Sequence, residues 1–307
     1  MDKALVILPK SIGGRLTTSS IADGFKLNGF KVDIFDELFG TPPKTFDYKY
    51  IVGYDFSPVK FKIDNNLKIQ TLAYFSDVIY SPASESYYKE YYKYIHEPDI
   101  FVFCWDRKLS EAEKVFYQPH FVNCDIYKDF KLPNTDVSFM GRLDTELRLE
   151  TYLYLNKALP KLKFRWYAIE RHYLDALSRA KTAQEKDILS STYCGFIDNE
   201  SDMAEKINDT KIIYNINAQG TTSLNYRTFQ TMSSKRLLIS DFREELDLFD
   251  NILPVYSNKE DLAEKIEFYL QNKDEYDKIV SKSREIIFKN HNAKKCVGEM
   301  IEKMLRS

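Results

Sequence analysis

Three arginines carry the clearest chemical signal in the sequence. Arg142 follows Gly141 at the end of an apolar run. Arg148 stands one to two helical turns further on, and Arg227 falls in the first turn of a helix beginning near Asn225 or Tyr226. The loop before that helix, Asn217-Ala218-Gln219-Gly220-Thr221-Thr222-Ser223-Leu224, is small and hydroxylated. A helix N-terminus offers free N–H groups and the positive end of a dipole, which suits a diphosphate. A cation in that first turn opposes the dipole by about a few tenths of a kcal/mol unless an anion sits there too. Each arginine alone reads as a solvated side chain. On strand-end loops of one sheet, the three together point to an anion site that would include Thr222, Ser223 and Asn225.

A second candidate lies near the start. Gly13-Gly14 lets backbone approach a phosphate or sugar closely, although an ordinary turn after a strand uses the same residues. The segment reads Ser11-Ile12-Gly13-Gly14-Arg15-Leu16, without G-x-G-x-x-G. Asp36, though suitably distant, therefore does not make a dinucleotide site, and a nicotinamide-dependent dehydrogenase is disfavoured. There is no D-x-D to grip a divalent ion and no C-x-x-C; Cys104, Cys124, Cys194 and Cys296 stand far apart. No metal site and no cofactor is expected.

The elements that must position these residues follow an α/β rhythm. Residues 4–8 are continuously apolar, as in a parallel strand buried on both faces. A polar loop with the two glycines, a helix over 19–28 stopped by Gly29, and a strand over 31–35 make a βαβ opening. Apolar segments recur at 50–53, 69–75 and 100–105, with a helix-compatible stretch at 84–95. Residues 125–136 read as a linker. The pattern then restarts with strands at 137–140, 164–169, 211–216, 236–240 and 253–256, and helices at 146–155, 172–181, 202–208 and 225–233. Ser257 and Glu260 form a capping box for a helix over 258–270, and two more helices finish the chain. The fold class expected is two Rossmann-like doubly wound domains facing a cleft. Residues 1–130 form the first and 131–307 the second, with the terminal helices free to pack back on the first.

Composition bounds the function. The 307 residues carry 44 Lys and Arg against 46 Asp and Glu, for a net charge of −2, which gives no general footprint for nucleic acid. With 44% hydrophobic residues the chain is not disordered. No stretch approaches the roughly 20 apolar residues of a membrane helix, and no signal peptide is read, so a cytoplasmic location is expected. The 22 Tyr and 21 Phe stand against only 2 Trp. Tyr87, Tyr88, Tyr91, Tyr92 and Tyr94 concentrate in one stretch, which suits sugar stacking or a helix packed on a core.

Three stretches carry a family resemblance: Ile213-Tyr214-Asn215-Ile216-Asn217, Ser223 to Met232 (SLNYRTFQTM), and Arg236-Leu237-Leu238-Ile239-Ser240-Asp241. Together they resemble the C-terminal domain of GT-B glycosyltransferases, in particular those like the spore maturation protein CgeB. Tyr74-Phe75-Ser76-Asp77 and Phe103-Cys104-Trp105-Asp106-Arg107 are similar to N-terminal segments of that family, and Phe139-Met140-Gly141-Arg142 to the start of its second domain.

The resemblance implies metal-independent transfer of a sugar from a nucleotide-sugar donor to a glycan, protein or other hydroxylated acceptor. Arg142, Arg148 and Arg227 would stabilise the leaving diphosphate, and Gln230 would hold ribose or sugar hydroxyls. Gly13 and Gly14 would approach the donor, and Trp166, Tyr167 or Phe196 would flank the base, although strand-end aromatics also serve as core. A base for an inverting reaction would come from Asp77, Asp106 or His120, each of which also reads as a cap, a surface acid or a buried histidine. Gln230 and Thr222 stand where many retaining members carry Glu, and Lys235 replaces the usual turn glycine. These departures keep a non-catalytic nucleotide or sugar binder as the alternative. A DNA-base glycosyltransferase of phage type is a further one that would need a basic groove.

Overall fold

The computed structural model describes residues 1–75, 93–217 and 222–306. The first half builds a parallel sheet from β1 (Lys3–Leu8), β2 (Lys31–Asp36), β3 (Tyr50–Tyr54), β4 (Gln70–Phe75), β5 (Ile100–Cys104) and β6 (Phe116–Tyr117), in the order β2-β1-β3-β4-β5-β6. Its helices are α1 (Ile12–Leu27), α2 (Ser57–Asp64) and α3 (Arg107–Glu113). The second half builds a parallel sheet from β7 (Thr135–Met140), β8 (Phe164–Tyr167), β9 (Thr210–Asn215), β10 (Leu237–Asp241) and β11 (Val255–Tyr256), ordered β11-β10-β9-β7-β8. Around it stand α4 (Glu146–Ala158), α5 (Glu170–Arg179), α6 (Ala183–Thr192), α7 (Glu200–Asn208), α8 (Tyr226–Ser233), α9 (Lys259–Gln271) and α10 (Lys273–Asn290). The chain ends in α11 (Ala293–Arg306).

Each sheet has its first strand between its second and third, so the winding direction reverses once per sheet. Such a sheet leaves a crevice at the carboxyl ends of the two strands flanking the reversal. In the first half these are β1 and β3; in the second they are β7 and β9.

Burial explains why the central strands read as unbroken apolar runs. Ala4, Leu5, Val6 and Ile7 of β1 have no exposed surface, because helices cover both faces of a parallel sheet. Edge strand β2 has no fully buried residue. The last helix belongs to the first core: Ala293, Cys296, Val297, Met300 and Met304 cluster with Ile21, Phe25, Tyr50 and Tyr74. Gly24 lets α1 and α11 approach closely, since a Cβ there would stand 2.2 Å from Val297 Cγ2. Before α11 the chain pairs with the crossing segment, Val122 N donating to His291 O at 3.0 Å and Ala293 N to Val122 O at 2.8 Å.

Several element boundaries differ from the sequence reading. Helix α1 starts at Ile12, so Gly13 and Gly14 lie in its first turn rather than in a loop. The hydroxylated run that reads as loop is satisfied inside the helix: Thr18 Oγ1 donates to Gly14 O at 2.7 Å, and Ser19 Oγ to Arg15 O at 3.1 Å. The cap of α9 lies one residue later than expected: Asn258 Oδ1 accepts from Asp261 N at 2.8 Å, in place of the Ser257–Glu260 box. Asp77 and Tyr87, Tyr88, Tyr91 and Tyr92 lie outside the described residues. Tyr94 packs against the core formed by Phe56, Phe75 and Val102.

Candidate active site

At the reversal of the second sheet, β7 ends in Met140 and the chain turns through Gly141, whose φ is +154°. Gly141 N donates to Tyr167 O at 2.9 Å, and Gly141 O accepts from Trp166 Nε1 at 2.8 Å. A Cβ on Gly141 would have Arg227 Nη1 as its nearest neighbour, at 3.7 Å. The guanidinium of Arg227 therefore lies beside the glycine turn, and the turn is pinned on its other side.

Arg148, on α4, reaches across the crevice. Its Nε and Nη2 donate to Ile216 O, just beyond β9, at 3.2 and 2.8 Å. Its Nη1 pairs with Asp144 at 3.0 Å. Arg142 pairs with the same carboxylate through Nε at 3.2 Å and keeps 45% of its side chain exposed. The two cations hold Asp144 below the ordinary carboxylate pKa, although partial burial opposes them with the largest single effect.

Helix α8 is anchored by asparagines. Asn225 Oδ1 accepts from Thr228 N at 3.2 Å and from Asn215 Nδ2 at 3.0 Å, which fixes the helix start against the end of β9. Arg227 follows two residues after this cap. Its Nε is buried and has no hydrogen-bond partner among the described residues. Burial first, and the neighbouring Arg148 second, push its pKa down to about 10. A half-buried guanidinium with an unused, buried Nε–H and a second cation beside it calls for an anion. The crevice thus brings together Arg142, Arg148, Arg227 and Asn225.

The other expected residues take varied places. Phe196 follows Gly195, whose φ is +84°, and remains 44% exposed beside the carboxyl end of β8. It keeps a free face for a base. Trp166 has no exposed surface and belongs to the core, and Tyr167 is buried in the cluster on the opposite face. Gln230 is buried and donates through Nε2 to Tyr127 OH at 2.6 Å. Ser223 is buried. Gly14 is enclosed: a Cβ would stand 2.6 Å from both Ser11 Oγ and Tyr54 Cδ1.

Thr222 and Asp106 meet across the two halves. Asp106 caps α3 by accepting from Leu109 N at 2.9 Å, and its other oxygen accepts from Thr222 N at 3.1 Å. Glu245 completes the bridge, accepting from Thr222 Oγ1 at 2.9 Å, Arg107 N at 2.8 Å and Tyr117 OH at 2.8 Å. Arg107 and Asp247 add a two-pronged pair at 2.7 and 2.9 Å. One oxygen of Asp106 thus caps α3 and the other holds the halves together. His120 is buried between Trp105, at 4.3 Å between ring centres, Tyr226 at 5.5 Å and Phe229 at 5.9 Å. Burial pushes its pKa down to about 3, so the imidazole is neutral near pH 7 and suits hydrogen bonding more than proton abstraction.

Acidic groups absent from the sequence reading are Asp55, Glu200 and Glu245. Asp55 directly follows an apolar strand, the same signal that singled out Asp77 and Asp106. Glu200 on α7 accepts from Tyr226 OH at 3.0 Å and from Ser20 Oγ of α1 at 3.2 Å, and burial pushes its pKa up to about 7. Its pattern, one acid in a polar turn, carries no signal in sequence.

Comparison with known proteins agrees with this geometry. Residues 155–302 match the glycosyl transferase-like family. No curated protein matches the sequence. Among solved structures, sucrose-phosphate synthase from Thermosynechococcus elongatus superposes with a TM-score of 0.69 at 13% identity, covering 100% of this chain and 99% of that one. Anabaena HepE in complex with UDP and glucose gives 0.71 at 11% identity, covering 99% of each chain. An alpha-glucosyltransferase in complex with UDP and a mismatched 13-mer DNA gives 0.71 at 13% identity, covering 99% and 100%. Among the described residues no helix is long and apolar enough to cross a membrane. With the GT-B fold over its whole length and the family match over its second half, the chain is an enzyme of the glycosyltransferase class.

Proposed function

We propose that the protein transfers a sugar from a uridine diphosphate sugar to a hydroxylated acceptor without a divalent metal ion. The observation that carries this reading is Arg227: its buried Nε has no partner, and it stands beside Gly141 and Arg148 where β7 and β9 end. The diphosphate would lie against this turn and the first turn of α8. As the bond to the sugar breaks, negative charge grows on the departing phosphate, and prepositioned cations favour that state over the ground state. Arg227 and Arg148 supply the inner charge and Arg142 the outer. Phe196 would stack on the base. The choice of uridine rests on HepE, whose complexes contain UDP and UDP-glucose. Within the class, Arg227-Thr228-Phe229-Gln230 and the strand that follows resemble the CgeB-like transferases, and the reading takes the chain as one of that kind.

Calorimetry tests the site directly. UDP should bind the native chain, and Arg227→Ala should weaken it about tenfold or more, the worth of one charge-assisted hydrogen bond. Unchanged affinity would remove the donor site from this crevice. Turnover of labelled UDP-glucose that survives EDTA supports metal-independent transfer, and its loss there refutes it.

One observation favours a second reading. Gln230 is uncharged and already engaged by Tyr127 OH, which fits a nucleotide or sugar binder that does not turn over. UDP binding with no release of sugar from any labelled nucleotide sugar would establish it.

A further inference from the structure

The first sheet has its own reversal, between β1 and β3, and Asp55 stands at the end of β3. The residue is 9% exposed, and its Oδ1 is buried with no hydrogen-bond partner. Its backbone lies in the left-handed region, φ +56°, which costs an Asp about 1 kcal/mol or more and persists only where the surroundings impose it. Asp55 N donates to Tyr74 O at 2.9 Å, so neighbouring strand β4 holds this conformation. Glu37, whose N donates to Leu8 O at 3.1 Å, stands at the ends of β1 and β2 within electrostatic range of Asp55. Asp55 and Glu37 therefore bring acids to this crevice, with the Arg15–Asp36 pair beside it at the ends of β1 and β2. Beside it, the Tyr54 ring closes over Gly14 and stacks on Trp105 at 5.6 Å between centres.

An ionised carboxylate accepts up to about four hydrogen bonds, and a buried one left without them costs about 1–3 kcal/mol. The backbone N–H of Phe56 favours the charged form of Asp55, but burial outweighs it and pushes the carboxyl up to about 6, with Glu37 adding in the same direction. Among the described residues, no lysine, arginine or histidine is among the causes of this shift. A metal ion would need further ligands, and among the described residues no group of three His, Cys, Asp or Glu side chains could hold one. What Oδ1 lacks, among the described residues, is a hydrogen-bond donor. The χ2 torsion of Asp is broad and roughly two-fold, so either oxygen can face the small opening that remains.

We propose that Asp55 anchors the acceptor, taking a hydrogen bond from a hydroxyl of a neutral polyol or sugar held in the crevice at the ends of β1 and β3. The proposal rests on the transferase reading above. The acids select against phosphorylated or carboxylated acceptors at this end, since a second negative charge would face Asp55 and Glu37. Tyr54, half-buried and backed by Trp105, offers an aromatic edge to the apolar face of a sugar ring. The carboxylate is a binding group here, and no bond of the donor is broken at it.

Saturation-transfer NMR with glucose as the probe tests this, on the native chain, Asp55→Asn and Asp55→Ala, each confirmed folded by its thermal transition. The native chain should bind glucose in the millimolar range, and both variants should weaken it about tenfold. UDP affinity, measured by calorimetry on the same samples, should stay unchanged in the variants. Glucose binding that is absent in the native chain, or equal in all three proteins, overturns the proposal. Variants that weaken glucosamine but not glucose overturn it in favour of a cation site. Absence of UDP binding to the native chain counts against the donor reading alone, because the glucose result is read without nucleotide.

Discussion

The two reversals of winding share one topology and carry opposite charge. Both halves order their first three strands 2-1-3, and both open a crevice at the carboxyl ends of the first and third. In the second half that crevice holds Arg142, Arg148 and Arg227, with Asp144 beside them. In the first half it holds Asp55 and Glu37. Each has a buried charged group with an atom left without a partner among the described residues, a guanidinium N–H in one and a carboxylate oxygen in the other. A transfer reaction needs this division: a cationic cradle for a leaving diphosphate and a hydrogen-bond acceptor for an incoming hydroxyl. Shared topology places the two sites, and side-chain charge gives each its task.

The comparison breaks most readily at Arg227. Arg227→Ala should weaken UDP about 10- to 100-fold, equivalent to about 1.5–3 kcal/mol for a hydrogen bond to a charged group. The same change should leave glucose binding at the first crevice unaltered. Coupled losses at both sites, measured by calorimetry and NMR on one sample, would mean that the crevices are not independent.

Asp55 yields an effect of similar size with opposite sign, on stability. Burial raises its pKa in the folded chain to about 6, above the ordinary aspartate value of 3.8. The folded state therefore holds this proton more tightly than the unfolded chain, and stability falls as pH rises from about 4 to about 6. The deficit persists above pH 6. Asp55→Asn removes it, so the variant should be more stable than the native chain by about 1–3 kcal/mol at pH 7.5, with the gain fading towards pH 4. Denaturant unfolding at the two pH values checks this. A variant less stable at pH 7.5 would show that the carboxylate is satisfied in the free protein. Gained stability at the expense of acceptor binding is the expected mark of a functional group held against its own solvation.

Gly14 should matter somewhat less. A Cβ there meets Tyr54 and Ser11 at 2.6 Å and Pro9 at 2.9 Å, an overpacking worth about 1–2 kcal/mol. Gly14→Ala should lower the thermal midpoint and weaken glucose while sparing UDP. If UDP weakened instead, the start of α1 would belong to the donor side.

How much of this was legible in sequence depends on which force places each residue. The apolar runs of β1, β5 and β9 were plain, because a strand buried on both faces cannot admit polar residues. The arginines stood out because strand-end loops in a doubly wound sheet point to one place. The start of α1 was hidden, since Thr18 and Ser19 satisfy their hydroxyls within the helix, and that geometry has no compositional mark. Asp106 carried the signal of a catalytic acid, yet its two oxygens cap α3 and bind Thr222 N. Asp55 carries the same signal, yet its Oδ1 has no partner among the described residues. What separates the two is the presence or absence of partners from elsewhere in the fold, which spacing along the chain does not encode.

Arg142 offers the smallest and most discriminating effect. It sits in the same crevice as Arg227, but 45% of its side chain is exposed and Asp144 already pairs with it. Exposed pairs contribute about 0–1 kcal/mol and are screened by salt. Arg142→Ala should therefore weaken UDP only a few-fold at low ionic strength, and the difference should vanish near 1 M salt, where the screening length is about 3 Å. The loss in Arg227→Ala should survive the same salt, because its Nε is shielded from water. Equal salt dependence of the two variants would place both arginines at the rim and leave the inner cradle without its cation.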